Sequence, residues 1–526
     1  MAIRSPHADV EIPDVSLYDF LFAGLTDQDL EKVAVVDGPT GETTTYGALR
    51  AQVDAIAGAV AARGLGVGDV VALHSPNVPA FVSVFHGLLR AGVTVTSINA
   101  LASGAEVGKQ VVASGATALF TVSPLLAQAT EGAKDAGLAD DAVVVLDGAE
   151  GHPSLRDLLA AGAPAPEVSF DPSTHLAVLP YSSGTTGLPK GVMLTHRNLV
   201  ANVVQAEPYI PLTREDVIPA VLPFFHIYGM TVLMNGALYQ RSSVVTMPRF
   251  DLPEYLRIIA EHRATVLFVA PPIALAVAKH PLALESDLSS VRMMMSGAAP
   301  FDEHLAHVVE QRLPHARVMQ GYGMSEMSPV SHTIPVDRPD ISPGSIGLLV
   351  PNMQAKIVDP ATGEEIEQPS EGMSAPGELL CAGPNVMVGY LGNEQETRDT
   401  ITSDGFLHTG DIVTIDADGV FYVVDRLKEL IKYKGYQVPP AELEALLIAH
   451  PKIADAAVVG VPDGAGEELP KAFVVLAEGA EMSAEDVMEY VAAKVAPYKK
   501  VRLVEFTHAI PKSAAGKILR KDLKAA

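Results

Sequence analysis

The chain has 526 residues, 48% of them hydrophobic, with 37 Lys and Arg against 63 Asp and Glu, a net charge of −26 and a pI near 4.9. That balance excludes nucleic acid as a main partner, because phosphate backbones demand a basic face, so any anionic substrate must be met by a few locally concentrated cations. No stretch approaches the ~18 uninterrupted apolar residues of a membrane span, and the single cysteine, Cys381, rules out a disulfide within the chain.

Helix and strand signals alternate through the first half. Leu49, Val53, Ile56 and Val60 fall at helical spacing and stop at Gly64. A strand over 70–73, an apolar helix over 81–89 and a strand over 93–98 follow, and 107–112 then 119–122 repeat the pattern. The alternation resumes at 255–259 and 266–269. Such a sequence predicts a parallel or mixed sheet covered by helices.

Between these stretches lies Tyr181-Ser182-Ser183-Gly184-Thr185-Thr186-Gly187-Leu188-Pro189-Lys190-Gly191. Its three glycines bare the backbone, its Ser and Thr hydroxyls supply donors, and Lys190 supplies a fixed charge. Exposed backbone N–H groups beside a cation are how a loop holds phosphate. The spacing differs from the common nucleotide-triphosphate loop, since Gly187 precedes Lys190 by three and Gly191 follows it. Residues 176–179 read as a strand entering the loop, and Thr195 caps a helix that leaves it.

The texture changes near 340–425, where Gly and Pro recur among short strands such as 377–381 and 420–424, predicting a small β subdomain. The charged segment Asp425-Arg426-Leu427-Lys428 follows. Beyond it, a helix over 441–449, strands near 456–461 and 472–476 and a helix over 484–495 form a compact α+β unit. The predicted fold is therefore α/β. A large N-terminal domain (1–425) of helix-covered sheets plus the β subdomain precedes a small α+β C-terminal domain (426–526) on a hinge.

Six motifs in one consistent order resemble the adenylate-forming superfamily of acyl-CoA synthetases, peptide-synthetase adenylation domains and luciferases, with the flavour of the 4-coumarate:CoA ligases. They are the phosphate loop, Gln320-Gly321-Tyr322-Gly323-Met324-Ser325-Glu326, Gly377-Glu378-Leu379 with Gly389-Tyr390, His408-Thr409-Gly410-Asp411, Asp425-Arg426-Leu427-Lys428, and Pro511-Lys512-Ser513-Ala514-Ala515-Gly516-Lys517. The resemblance covers most of the chain. It implies two half-reactions. A carboxylate attacks the α-phosphate of Mg-ATP to give acyl-AMP and pyrophosphate; the thiol of coenzyme A then displaces AMP. Two anions must meet in the first step, which calls for fixed positive charge and oriented donors.

The resemblance also implies roles. Ser182, Ser183, Gly184, Thr185, Thr186, Gly187 and Lys190 would cradle the outer phosphates, and Glu326 would hold Mg²⁺, an ion that uses one or two carboxylates plus phosphate oxygens. Ser325 stands where the family usually has threonine and keeps the hydroxyl. Gly297, Ala298, Ala299, Gln320, Gly321, Tyr322 and Gly323 would border the adenine, and Asp411 with Arg426 the ribose. Lys517 is expected to serve adenylation, and Lys432 with Gln437 the thioester step, with Lys434 and Gly435 contacting coenzyme A. Rotation of the C-terminal domain about Lys428 would exchange the two lysines.

His226 would guard the carboxylate. Tyr228, Met295, Gly297, Gly321, Pro329 and Val330 would line a flat, small-walled acyl slot suited to a planar aryl acid, with Tyr228 able to hydrogen-bond a ring hydroxyl. Met295 departs from the lysine of some coumarate ligases, which leaves cinnamate and other aryl acids open beside 4-coumarate. The alternatives are a medium- or long-chain fatty acyl-CoA ligase and an acyl-AMP ligase that loads a carrier protein. The expected substrates are a small carboxylic acid, ATP and coenzyme A, used by a monomer or homodimer. The chain start lacks an apolar leader and the end lacks a peroxisomal address, so a cytoplasmic location is expected.

Overall fold

A computed structural model describes residues 2–160, 162–182, 189–299, 301, 303–427, 429–433, 436–462, 468–513 and 516–525. Ser183, Gly184, Thr185, Thr186, Gly187, Lys428, Lys434 and Gly435 lie outside the described residues, and Gln437 is described only as backbone of the strand Tyr436–Val438.

Two largely parallel sheets form the bulk of the molecule. In the first, Leu176–Val178, Thr94–Ile98, Val70–His74, Ala118–Thr121 and Val143–Val145 lie side by side, all parallel. In the second, Val266–Val269, Met293–Ser296 and Arg317–Gly323 run parallel, and Val330–Thr333 and Leu348–Leu349 extend the set antiparallel. A smaller sheet pairs Val217–Ala220, Ser243–Thr246 and Val33–Asp37 in parallel. These strands are Val-, Ile- and Met-rich without alternation because both faces are buried.

The helices are set by local chemistry. Leu49, Val53, Ile56 and Val60 are all buried on Tyr46–Ala62, whose N-cap Thr45 accepts the Ala48 N–H. Thr195 caps His196–Ala206 reciprocally with the Asn198 side chain. One element was not anticipated: Lys190–Thr195 is itself a strand, pairing with Leu176–Val178 and Gly389–Tyr390. Val192 and Leu194 are buried there, but the Lys190-Gly191 start hides the short period.

The region near 350–425 is an antiparallel sheet in the order Ile3–Arg4, Gln354–Val358, Gly377–Ala382, Leu407–Ile415, Phe421–Arg426. One continuous core runs from Leu17 to Phe421. A separate core starts at Ile431 and packs the helices Pro440–Ile448 and Ala484–Ala492 on the strands Ile453–Pro462 and Glu468–Leu476. On those strands Ala456, Val458, Ala472 and Val474 face that core, while Ala457, Val459 and Phe473 face a second cluster with Ile510 and Leu523. This is the period-two alternation of a sheet buried on both sides. Among the described residues no helix is long and apolar enough to cross a membrane.

Candidate active site

The parallel strands of both large sheets direct their carboxyl ends toward one cavity of about 730 Å³. Ser97 and Asn99 end the strand Thr94–Ile98, Gly297 and Ala298 follow Met293–Ser296, and Gly321, Tyr322 and Gly323 end Arg317–Gly323. Crevices at the carboxyl ends of parallel strands are where such sheets bind ligands, and this volume suits a substrate of nucleotide size.

Three groups of side chains organise the cavity. In the first, Asp411 sits on Leu407–Ile415 directly opposite Arg426 on the neighbouring strand. Its Oδ1 meets Arg426 Nε at 3.2 Å, and its Oδ2 accepts the Tyr322 hydroxyl at 2.6 Å. Burial raises the pKa of this carboxyl against the pull of Arg426 and the Tyr322 hydrogen bond. Each carboxylate oxygen keeps a lone pair for a further donor.

In the second group, Glu326 Oε1 accepts the hydroxyls of Tyr390 at 2.9 Å and Ser182 at 3.1 Å. Lys190 sits opposite Ser182 in an antiparallel pair, lies 5.1 Å from the Tyr390 ring centroid, and gives its ammonium to Glu396. Glu326 is a single carboxylate beside hydroxyl donors and a cation, which fits an Mg²⁺ ion that takes its remaining ligands from water and polyphosphate.

The third group forms an apolar slot. The Tyr228 hydroxyl donates to the Met295 carbonyl at 3.2 Å. A Cβ on Gly297 would fall 2.9 Å from the Tyr228 ring, and one on Gly321 would fall 2.2 Å from the Met295 methyl. The two glycines therefore let an aromatic ring and a thioether lie flat against the sheet. Pro329 and Val330 complete the lining.

His226 adjoins this slot. Burial pulls its pKa down to about 4, and its Nδ1 accepts the Tyr228 N–H at 3.4 Å, so the neutral ring carries its proton on Nε2. Lys517 reaches the same cavity from the C-terminal unit. Gly516 has φ +81, which glycine adopts freely, and a Cβ there would meet Pro272 at 3.3 Å, so the loop is seated closely against the large core. Burial lowers the Lys517 pKa to about 8; Arg426 adds to the fall, and Glu429 and Asp411 oppose it.

The residues singled out in the sequence divide clearly. Ser182, Lys190, His226, Tyr228, Met295, Gly297, Ala298, Gly321, Tyr322, Gly323, Ser325, Glu326, Pro329, Val330, Asp411, Arg426 and Lys517 line the cavity together. Gln320 and Ala299 are not in its lining. The buried Gln320 amide is used as a bracket: its Oε1 accepts the Phe301 N–H at 2.9 Å, and its Nε2 donates to the Ser345 carbonyl at 2.8 Å. Lys432 also lies outside the lining, exposed on Ile431–Tyr433, opposite Gln437. Sequence reading assigned no role to Tyr390, although Gly389-Tyr390 was among its motifs. It missed Glu396 and Gln110 altogether, the first hidden in an acidic helical run and the second on an ordinary amphipathic helix.

The comparisons agree with this architecture. The family model described as AMP-binding enzyme matches residues 25–391, and that of the AMP-binding enzyme C-terminal domain matches residues 442–517. The 4-coumarate--CoA ligase 5 of Oryza sativa subsp. japonica is 42% identical over 99% of this chain and 96% of its own. The 4-coumarate--CoA ligase 1 of Arabidopsis thaliana is 40% identical over 99% and 94%. Among solved structures, ATP-bound MatB from Rhodopseudomonas palustris is 30% identical, covers 98% of this chain and 99% of its own, and superposes with a TM-score of 0.88. Its apo form, with the same identity and coverage, gives 0.78. A benzoate CoA ligase from Burkholderia xenovorans LB400 is 25% identical over 97% and 100%, with a TM-score of 0.87. The cavity, the two cores and these matches together place the chain in the AMP-binding enzyme family, as an adenylate-forming acid–CoA ligase.

Proposed function

We propose that the protein joins a planar aryl acid of the 4-coumarate or cinnamate type to coenzyme A through an acyl-AMP intermediate. The observation that carries the aryl assignment is the slot made by Tyr228, Gly297, Met295 and Gly321, flat because a Cβ on either glycine would press on the Tyr228 ring or the Met295 methyl. The Tyr228 hydroxyl spends its proton on the Met295 carbonyl, so toward a substrate it acts as acceptor, and a phenolic hydroxyl would donate to it. Met295 places a thioether rather than a charge beside the ring, which favours cinnamate and 4-coumarate alike. The names of the relatives support the same substrate class.

The residues divide the work by charge. Asp411 accepts the ribose hydroxyls and is itself held by Tyr322 and Arg426. Lys190 and Ser182 meet the outer phosphates, while Glu326 would hold Mg²⁺, which draws charge from the polyphosphate when bound. Lys517, largely protonated at neutral pH, bridges carboxylate and α-phosphate oxygens as the anions approach. Neutral His226 offers its Nε2 proton to the carboxylate without adding a charge. In the second half-reaction, rotation about Lys428 withdraws Lys517 and brings Lys432 and Gln437 to the acyl-AMP, with Lys434 and Gly435 against coenzyme A. The better superposition on ATP-bound than on apo MatB supports the first of these two orientations for the arrangement seen here.

The test is ATP- and CoA-dependent AMP formation across cinnamate, 4-coumarate, caffeate, benzoate, octanoate and palmitate. An aryl propenoate should give the highest kcat/KM. If octanoate or palmitate exceeds every aryl acid by about tenfold, a difference worth roughly 1.4 kcal/mol at the transition state, the slot has been misread.

A further inference from the structure

Lys190 is 12% exposed, and an ammonium so far withdrawn from water needs an anion beside it. The obvious partner, Glu326, is not the one it has: that carboxylate is held by the Tyr390 and Ser182 hydroxyls. The anion is Glu396, 29% exposed, on the seven-residue helix Glu394–Thr400 at the cavity edge. The helix is fastened in place. Asn393 caps it by accepting the Glu396 N–H at 3.1 Å, and Thr397 Oγ1 accepts the Tyr390 N–H at 2.9 Å. Tyr390 therefore joins the two carboxylates, its ring under the Lys190 ammonium and its hydroxyl on Glu326.

We propose that Glu396 is a built-in, displaceable counter-anion for Lys190, which a polyphosphate must replace on binding and which reclaims the ammonium as pyrophosphate leaves. The proposal rests on the reading of Lys190 as a phosphate contact. Glu396 keeps the little-exposed Lys190 ammonium paired between turnovers, and has enough exposure to turn toward solvent once displaced. Two anions cannot share one ammonium at full strength, so the carboxylate weakens polyphosphate binding and hastens its release. Glu396 is thus a positioning residue that sets the balance between capture of ATP and loss of pyrophosphate.

Five proteins test this: wild type, Glu396→Gln, Glu396→Asp, Lys190→Met and the Glu396→Gln/Lys190→Met double variant, each assayed for ATP KM, for inhibition of AMP formation by added pyrophosphate, and for thermal unfolding. Glu396→Gln keeps shape and removes charge. It should lower both the ATP KM and the pyrophosphate inhibition constant by about two- to fivefold, the range for a partly exposed ion pair. Glu396→Asp should stay close to wild type. In the Lys190→Met background the Glu396 change should have no effect on either constant, a coupling that a merely structural role would not produce. The proposal is overturned if Glu396→Gln leaves both constants unchanged, or raises them, while Lys190→Met raises the ATP KM; Lys190 would then remain a phosphate contact without an exchanging carboxylate. If Lys190→Met alters neither constant, the reading of Lys190 itself is wrong and the proposal falls with it.

Discussion

The two parts of the molecule that meet at the cavity are built in different ways. On the large core the site is over-determined. Asp411 is held by Tyr322 and Arg426, Glu326 by Tyr390 and Ser182, and Tyr228 by the Met295 carbonyl. The unit that begins at Ile431 has its own core, and its Arg520 lies between Glu444 of the same unit at 2.7 Å and Glu429, just before it, at 3.0 Å. It reaches the cavity through Ser513 and Lys517. At the joint, the buried Asp425 carboxylate accepts the Ala441 N–H at 3.0 Å, in the first turn of Pro440–Ile448. The contrast underlies the proposed division of labour, in which the large part fixes where nucleotide and acid lie and the small part supplies a charge that can be withdrawn.

That division can be broken most severely at Lys517. Lys517→Ala should slow acyl-AMP formation by roughly 10²–10³-fold, the usual size for removing one positioned donor from a developing anion. Its conversion of pre-formed acyl-AMP to thioester should stay near wild type. Pyrophosphate exchange and a thioester assay on the same preparation separate the two.

Asp411→Ala attacks the fixed part. It removes charge-assisted bonds worth on the order of 1.5–3 kcal/mol each and leaves the half-buried Arg426 without its carboxylate. Adenylation kcat/KM for ATP should fall by at least about tenfold, with a smaller change in the aryl acid KM; unchanged ATP kinetics would remove Asp411 from the nucleotide site.

A gentler probe is Gly297→Ala. The new Cβ would stand 2.9 Å from the Tyr228 ring, which must give way by a few tenths of an ångström. The aryl acid KM should rise by roughly three- to tenfold, in line with a small overpacking cost, and by more than the ATP KM.

The mildest test uses pH. In the proposed role Lys517 must be protonated to bridge the anions, and burial lowers its pKa to about 8. Adenylation kcat/KM should therefore decline as pH rises through about 8, and Lys517→Arg, whose guanidinium stays charged, should lose that alkaline limb while keeping part of the rate. A limb that persists in the arginine variant belongs to another group.

Much of this was legible in the sequence, for reasons that differ along the chain. The helix through Leu49, Val53, Ile56 and Val60 and the buried strands follow from periodicity, which is local. Many of the motif residues assemble because they lie at or just beyond strand ends, as Gly297 and Gly323 do, and the topology gathers those ends. What escaped depends on contacts between distant segments. Ser182 and Glu326 are 144 residues apart, Tyr390 and Glu326 are 64 apart, and Lys190 and Glu396 are 206 apart. No local pattern reports such pairings. Gln320 shows the converse: its place in a glycine-rich motif points to the nucleotide, yet its amide brackets the backbone at Phe301 and Ser345.

The most direct test of the exchange between the two lysines is a single-turnover experiment on Lys432→Ala with ATP, an aryl acid and coenzyme A, following acyl-AMP and thioester together. Lys432 is exposed and outside the cavity lining in the arrangement seen here. Acyl-AMP should therefore form at close to the wild-type rate and accumulate, while thioester appears at least about tenfold more slowly. If both steps slow equally, a single static arrangement of the site explains the chemistry, and the withdrawn-charge account is contradicted.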